Sequence, residues 1–433
     1  MGNGWPLLRA AVRLCTILCL VGALPQYCFG YSVLTHEQLV DLTWKNSIRP
    51  LLLNRFPGTT EAGLLEAHAY AYGGCAIQDA GYYPFGKAFF SDLTHYVRSG
   101  DFVASLFRNA KTVNEYAFAI GALSHYLGDT IGHHDAINLA TAVAFPKLGK
   151  KYGTSVNYGE NPHAHIRTEF AFDIGELSRE RLAPGAYLRH VGLRVPRHLL
   201  ERAFFETYAL HLREVLGPEI PAIKSYRSAV RNFIPRFAHA ETVIHRNHFP
   251  PDNSDDAFEI FAKRLSQADF ANEWQHYRHK ASLETRLLAV LIRIVPKVGP
   301  AADLAIKIPT SQTKDWYVQS LNRTIDALQK YLDFRANARV VPDLANRDLD
   351  TGDKVAPGAY RLTDQTYANL LERLTSNPNR HVPQGLRQDI LDYYSNLNAP
   401  IATKKNDAHW KRVLEDLESL KTMPSISGEK TED

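Results

Sequence analysis

ALSHYLGDTIGHHDAIN, residues Ala122–Asn138, is the stretch on which the reading of this chain turns. Written as a helix, it places His125, Asp129 and His133 at i, i+4 and i+8, so the three side chains leave one face within about 80° of arc. Two imidazoles and a carboxylate then point into one space. His134 projects to roughly the opposite side, which makes His133 the ligand and not its neighbour. Gly121, Ala122, Gly128 and Gly132 keep that region small enough for ions and other segments to approach. With 18 His and 46 Asp plus Glu in 433 residues, a His-x3-[Asp/Glu]-x3-His match is expected by chance only about 0.1 times. The arrangement therefore reads as metal-binding rather than as a solvated helix face.

Working outward, Thr112 and Glu115 form a capping box that opens this helix, and Pro146 stops it, predicting a span from Val113 to about Phe145. Val113, Tyr116, Ile120, Leu123, Leu127 and Ile131 give it an apolar side next to the ligand side. A polar, Gly-rich loop follows, then a helix from near Pro162 that carries His165 and Glu169, again at i and i+4. About two such pairs are expected by chance, so this one gains weight only beside the first. His248 and Asp252 share the spacing, but Pro250 and Pro251 between them forbid a helix. Asp173, at i+8 from His165, is either a carboxylate orienting an imidazole or a solvated residue.

Upstream, YSVLTHEQLVDLTWKN offers a Thr35–Gln38 capping box with His36 in the first turn. Residues 56–100 alternate helical fragments with Gly- and Tyr-rich connections, which read as irregular site-forming loops on a helical scaffold. Asp79 lies in one such turn, and SDLTHYV carries His95 onto what looks like a new helix. Each of these residues alone reads as structural. They become candidates only in company.

Residues 1–30 read as an export signal, with Arg9 and Arg13 ahead of the apolar run Leu14–Leu24 and cleavage expected after Gly30, or alternatively at Ala23. Tyr31 would then begin the mature chain, and its α-amino nitrogen and carbonyl oxygen could chelate an ion beside His36. Cys15, Cys19 and Cys28 leave with the signal, so Cys75 remains alone; cleavage at Ala23 would instead leave Cys28 able to pair with it. The apolar run is well short of the ~20 residues of a spanning helix. A net charge of +4 over the whole chain, with 45% hydrophobic and 22% charged residues, describes a globular protein without a polyanion-binding stripe. HFPPDNSDD at 248–256 marks the best boundary, dividing a helical catalytic region, 31–250, from a helical extension, 251–420. Within the extension helices are expected near 257–295, 313–336, 363–375 and 385–396, 337–358 is loop-like, and 421–433 reads as a disordered tail. ETRLLAVLIRIVPKVGPAADLAIKI is interrupted by charges and prolines and reads as core rather than as a membrane helix. Asn322-Arg-Thr is a glycosylation sequon if the source glycosylates.

The ordered set Tyr31, His36, Asp79, His95, His125-x3-Asp129-x3-His133 and His165-x3-Glu169 resembles the zinc-dependent phospholipase C family. In spacing it is most similar to the branch that includes glycosylphosphatidylinositol-specific phospholipase D. The resemblance implies an all-α, exported enzyme with three zinc ions per chain. It assigns one ion to Asp79, His95, His125 and Asp129. A second takes the Tyr31 amine and carbonyl, His36 and the other oxygen of Asp129, and a third takes His133, His165 and Glu169. Glu169 as the last carboxylate resembles the phospholipases rather than the related single-strand nucleases.

Imidazole and carboxylate ligands without thiolate suit catalytic zinc. Two ions sharing Asp129 can hold a hydroxide at neutral pH and aim it at phosphorus, while the third stabilises the departing oxygen. Asp79 is the candidate general base. The expected protein is thus a multi-helix, all-α zinc phosphodiesterase of phospholipase C type, secreted or periplasmic, acting on phospholipid at a membrane surface without nucleic acid. A nuclease or phospholipase D-like activity on the same fold, or a noncatalytic metal-stabilised lipid-binding module, is the alternative.

Overall fold

The computed structural model describes residues 32–426 except 246, 254, 269, 279–282, 295–305 and 338–341. The signal region 1–30, Tyr31 and residues 427–433 lie outside the described residues. The fold is all-α. Among the described residues the only sheet is a two-residue parallel pair, Val382–Pro383 with Ser425–Ile426.

The central helix, Val113–Gly132, starts at the capping box its sequence predicts. Glu115 N–H donates to Thr112 Oγ1 at 3.2 Å, and Thr112 N–H donates back to the Glu115 carboxylate at 3.1 Å. At His133–Ile137 the helix widens into a five-residue π turn, then resumes as Asn138–Ala144. Phe145 is pushed out of the helical region (φ −125°, ψ 75°) by the proline that follows it. The expected span is therefore met, with an inserted wide turn that begins at His133. Such turns recur at functional sites because they re-aim a side chain without ending the helix.

The helix Glu61–Gly74 lies against the central helix at backbone contact distance. A Cβ on Gly121 would stand 2.1 Å from the Ala71 carbonyl oxygen, and one on Gly74 would stand 2.1 Å from that of Phe118. Only glycine permits this approach, and it delivers Cys75 and the following 3-10 turn, Gln78–Tyr82, to the ligand side of the central helix.

The first helix, Val33–Thr43, is buried along its whole length. The predicted Thr35–Gln38 capping box does not form, because the N-cap is Ser32, three residues earlier, and Thr35 lies inside the first turn. Asp173, from the helix Pro162–Ser178, does the capping. It accepts the N–H groups of Leu34 and Thr35 at 3.1 Å each and the Thr35 hydroxyl at 2.6 Å. A buried carboxylate there satisfies orphan donors and matches the positive end of the helix dipole. Asp173 is therefore neither solvated nor bonded to an imidazole; it anchors the helix that carries His36.

Beyond residue 250 the long helix Ser311–Ala336 lies along the central helix, and the helices Arg361–Thr375, Gln384–Tyr393 and Asp407–Thr422 follow. The sequence reading leaves out the last of these. One continuous set of buried hydrophobic residues runs from Val33 to Met423, so segments on both sides of residue 250 share a core. Of the expected tail, residues 421–422 finish the Asp407–Thr422 helix, and Ser425–Ile426 pair with Val382–Pro383. Asn322 is 7% exposed and its amide donates to the Ala257 carbonyl, so the sequon is turned inward. The helix Leu283–Ile294 buries Ala289 and Ile292 and exposes Leu287 and Val290. No described helix is long and apolar enough to cross a membrane.

Candidate metal centre

The central helix presents His125, Asp129 and His133 as its spacing requires, all fully buried. Three other elements converge on the first two. The first helix brings His36 Nε2 to 3.1 Å from Asp129 Oδ1. The helix Ala88–Tyr96 brings His95 Nε2 to 3.5 Å from Asp129 Oδ2, and the 3-10 turn brings Asp79 Oδ1 to 3.4 Å from His95 Nε2. His125 Nε2 lies 3.0 Å from Asp129 Oδ2 and 3.5 Å from His95 Nε2. One turn further on, His133 Nε2 and His165 Nε2 stand 3.2 and 2.6 Å from Glu169 Oε1. Three buried donor groups result: His36, His125 and Asp129; Asp79, His95 and His125; His133, His165 and Glu169.

The tautomers are set from behind. His95 Nδ1 lies 2.8 Å from the Ser91 carbonyl, His125 Nδ1 3.0 Å from that of Cys75, and His133 Nδ1 2.5 Å from that of Leu349. A carbonyl only accepts, so each Nδ1 carries a proton, and Nε2 is the nitrogen turned to the centre where a metal would be held. His134, by contrast, is 60% exposed and pairs with Asp135 on the surface.

Burial in this cluster works against charge, and the groups respond differently. For Asp129 burial is outweighed by His125, His36 and His95, which hold the carboxyl well below its usual range. Burial also opposes protonation of His95, but Asp129 and Asp79 overcome it and raise that imidazole well above its usual value. Burial, then the field of Asp129 and Asp79, pushes Glu169 well up. Burial and His133 push His165 well down, so it is a neutral imidazole suited to ligation.

The donor set fits metal ions. Both oxygens of Asp79 and of Asp129, both ring nitrogens of His165 and Glu169 Oε2 are buried without a hydrogen bond, a costly state for groups that nothing else satisfies. Six of the neighbouring donor pairs stand 3.0–3.5 Å apart, and within each group the donor atoms lie within 4.8 Å of one another. Tetrahedral zinc with bonds of about 2.0–2.1 Å separates its ligands by roughly 3.3 Å. The buried thiol of Cys75, pushed well up by burial, takes no part and forms no disulfide among the described residues.

Residues 35–217 match the family model for zinc dependent phospholipase C. Residues 35–217 are thus a zinc-dependent phospholipase C family domain. Comparison with curated proteins and with solved structures finds no match. That domain supports a zinc-dependent phospholipase C-type function, and the three buried groups described above could hold metal ions.

Four residues around the centre escape a reading of the sequence. Leu349 and Asp350 lie in the loop-like stretch after residue 337, and Tyr96 and Tyr360 both donate to Asp350 Oδ2, at 2.9 and 2.6 Å. The sole signal is DLDTGD at 348–353, which reads as an ordinary polar turn.

Proposed function

We propose that this protein is an exported phospholipase C that holds three zinc ions and hydrolyses the phosphodiester of a phospholipid. The observation that carries this reading is the convergence of buried, hydrogen-bond-free imidazole and carboxylate atoms on one side of the central helix. His36, Asp79, His95, His125 and Asp129 would hold two ions, with Asp129 as the bridge and the Tyr31 amine and carbonyl completing one of them. His133, His165 and Glu169 would hold the third.

Bound zinc supplies Lewis acidity at the phosphoryl oxygens and lowers the pKa of water. The protein supplies orientation and a proton acceptor. Asp129, kept ionised by the imidazoles around it, provides fixed negative charge facing two groups at once. Asp79 has two buried oxygens without hydrogen bonds and takes the proton of the attacking water as it approaches phosphorus. Backbone carbonyls behind His95, His125 and His133 keep the rings from rotating or changing tautomer. Full burial of these side chains excludes bulk water, which strengthens every electrostatic contact to the phosphoryl group.

The export assignment rests on the basic and apolar pattern of residues 1–30 and is tested by mass analysis of the N-terminus of secreted protein. For the activity, the protein is stripped with a chelator, restored with zinc and presented with mixed phospholipid vesicles. Release of diacylglycerol and a phosphorylated headgroup is the expected result. Phosphatidate as product would make it a phospholipase D, digestion of single-stranded DNA without lipid turnover a nuclease, and vesicle binding with no turnover a noncatalytic module.

A further inference from the structure

The family match ends at residue 217, yet a segment more than a hundred residues later crosses the metal centre. Residues 344–352 form a strap on the same side of the molecule: it enters without regular structure, turns at Leu349–Thr351 and folds back through an antiparallel bridge between Arg347 and Lys354. At one end, Tyr126 donates to the Ala345 carbonyl at 2.7 Å, and the Ser99 hydroxyl donates to the Arg347 carbonyl at 2.6 Å. Gly100 makes room for this run, since a Cβ there would stand 2.3 Å from the Leu344 carbonyl oxygen. In the middle, Leu349 N–H donates to the carbonyl of His95 at 3.1 Å, and its own carbonyl accepts the Nδ1–H of His133 at 2.5 Å. Immediately after, Asn138 Nδ2 donates to the Asp350 carbonyl at 2.8 Å, while Tyr96 and Tyr360 hold the Asp350 carboxylate. Tyr360 in turn accepts the Gly159 N–H at 2.8 Å, from the loop leading into the His165 helix. Leu349 and Asp350 are fully buried.

We infer that this strap is a working part of the metal centre and that Leu349 is its positioning residue. The inference rests on the metal reading given above. His133 opens the π turn, where its backbone no longer follows the regular register of the helix, and among its hydrogen bonds in the structure the Leu349 carbonyl is the acceptor for Nδ1–H. With that carbonyl in place the proton stays on Nδ1 and Nε2 faces His165 and Glu169. Without it the ring is free to rotate or to carry its proton on Nε2, and the third donor group loses a ligand. The same residue grips the backbone of His95 at the neighbouring group. The C-terminal extension therefore supplies an acceptor that residues 35–217 do not, and the catalytic unit reaches at least to Tyr360.

Two variants of the full chain test this. Gly352 has φ +76°, and a Cβ there would stand 2.3 Å from the Thr130 carbonyl oxygen on the central helix, so Gly352→Ala pushes the strap outward. Asn138→Ala combined with Tyr360→Phe removes the two hydrogen bonds by which these residues tether Asp350, along with the Gly159 N–H bond to the Tyr360 hydroxyl, and leaves the backbone free of strain; the His133 tautomer, which the Gly159 bond does not touch, then reports the strap. Zinc content and affinity are measured by competition with a graded chelator, beside His133→Ala as a reference for loss of the third ion. Circular dichroism checks the fold, and nitrogen NMR of the imidazoles reports the His133 tautomer.

Both variants are expected to weaken one ion by about 10–100-fold, to leave the other ions near wild-type affinity, and to lose the His133 Nδ1–H signal. Wild-type protein that binds no zinc would overturn the metal reading itself. Wild-type protein that binds zinc, with folded variants that hold every ion as tightly and keep the tautomer, would overturn the role of the strap. If Gly352→Ala fails to fold, the double variant decides by the same criteria.

Discussion

Replacing Asp129 by Asn is the sharpest test of the site. Its Oδ1 lies 3.1 Å from His36 Nε2, and its Oδ2 lies 3.0 and 3.5 Å from the Nε2 atoms of His125 and His95. The amide keeps the shape but removes the charge and turns one oxygen into a donor, so it can no longer bridge two donor groups. Loss of a residue that merely orients a ligand costs about 10–100-fold in metal affinity. Loss of the bridging ligand itself belongs at or above the top of that range, about 100-fold at each of two ions, or about 2.7 kcal/mol for each. The expected variant keeps the ion held by His133, His165 and Glu169, loses the other two at zinc levels that saturate wild type, and falls at least 100-fold in kcat/KM. His134→Ala is the control: its side chain is 60% exposed, and a surface substitution of this kind stays within about 0.5 kcal/mol. Zinc counted per chain after gel filtration, with vesicle hydrolysis on the same samples, reads out both. Equal losses in the two variants, or full metal and activity in Asp129→Asn, would refute the helical register and the bridging role together.

Chelation should lower Tm as well as activity, since an ion present at a thousand times its Kd contributes about 4 kcal/mol to the native state; an unchanged melting curve in excess chelator would mean the buried donors are satisfied without metal. Asp173→Ala should cost about 1–3 kcal/mol in a denaturant melt, because it takes the acceptor from the buried Leu34 N–H and leaves the Thr35 N–H and hydroxyl with only the Ser32 carbonyl and the Tyr317 hydroxyl; a loss under 0.5 kcal/mol (about the scatter of surface substitutions) would sink the capping role. Away from the centre, burial pushes the Asp389 carboxyl up from 3.8 to about 6, against the opposing pull of Arg98 and the Tyr367 hydroxyl. The native state then keeps a proton that the unfolded chain releases, so this stabilising contribution is complete below pH 3.8 and is lost as pH rises to about 6. Asp389→Asn should flatten that fall, and an unaltered slope of stability against pH across the window would exclude it.

The all-α fold and the two helical ligand pairs of the candidate site were legible because they depend on the helical period. His125, Asp129 and His133, and likewise His165 and Glu169, share a face for reasons contained within a few turns of chain. The Thr112–Glu115 cap and the stop before Pro146 are equally local. The Thr35–Gln38 cap failed as an expectation because a carboxylate 138 residues away does the same work better.

The sequence by itself thus determined which residues could serve as ligands on the two principal helices and the class of chemistry their donor atoms suit. Periodicity left His36, Asp79 and His95 unplaced, and only their resemblance as an ordered set grouped them; tertiary structure decided that His36 and His95 reach Asp129 and Asp79 reaches His95, that Asp173 anchors the first helix, and that the Leu349 carbonyl stands behind His133. The physical reason lies in the kind of contact. Ligand pairs one helical turn apart leave a periodic mark in the sequence, contacts across more than two hundred residues leave none, and a backbone carbonyl is common to every residue, so no side chain announces it.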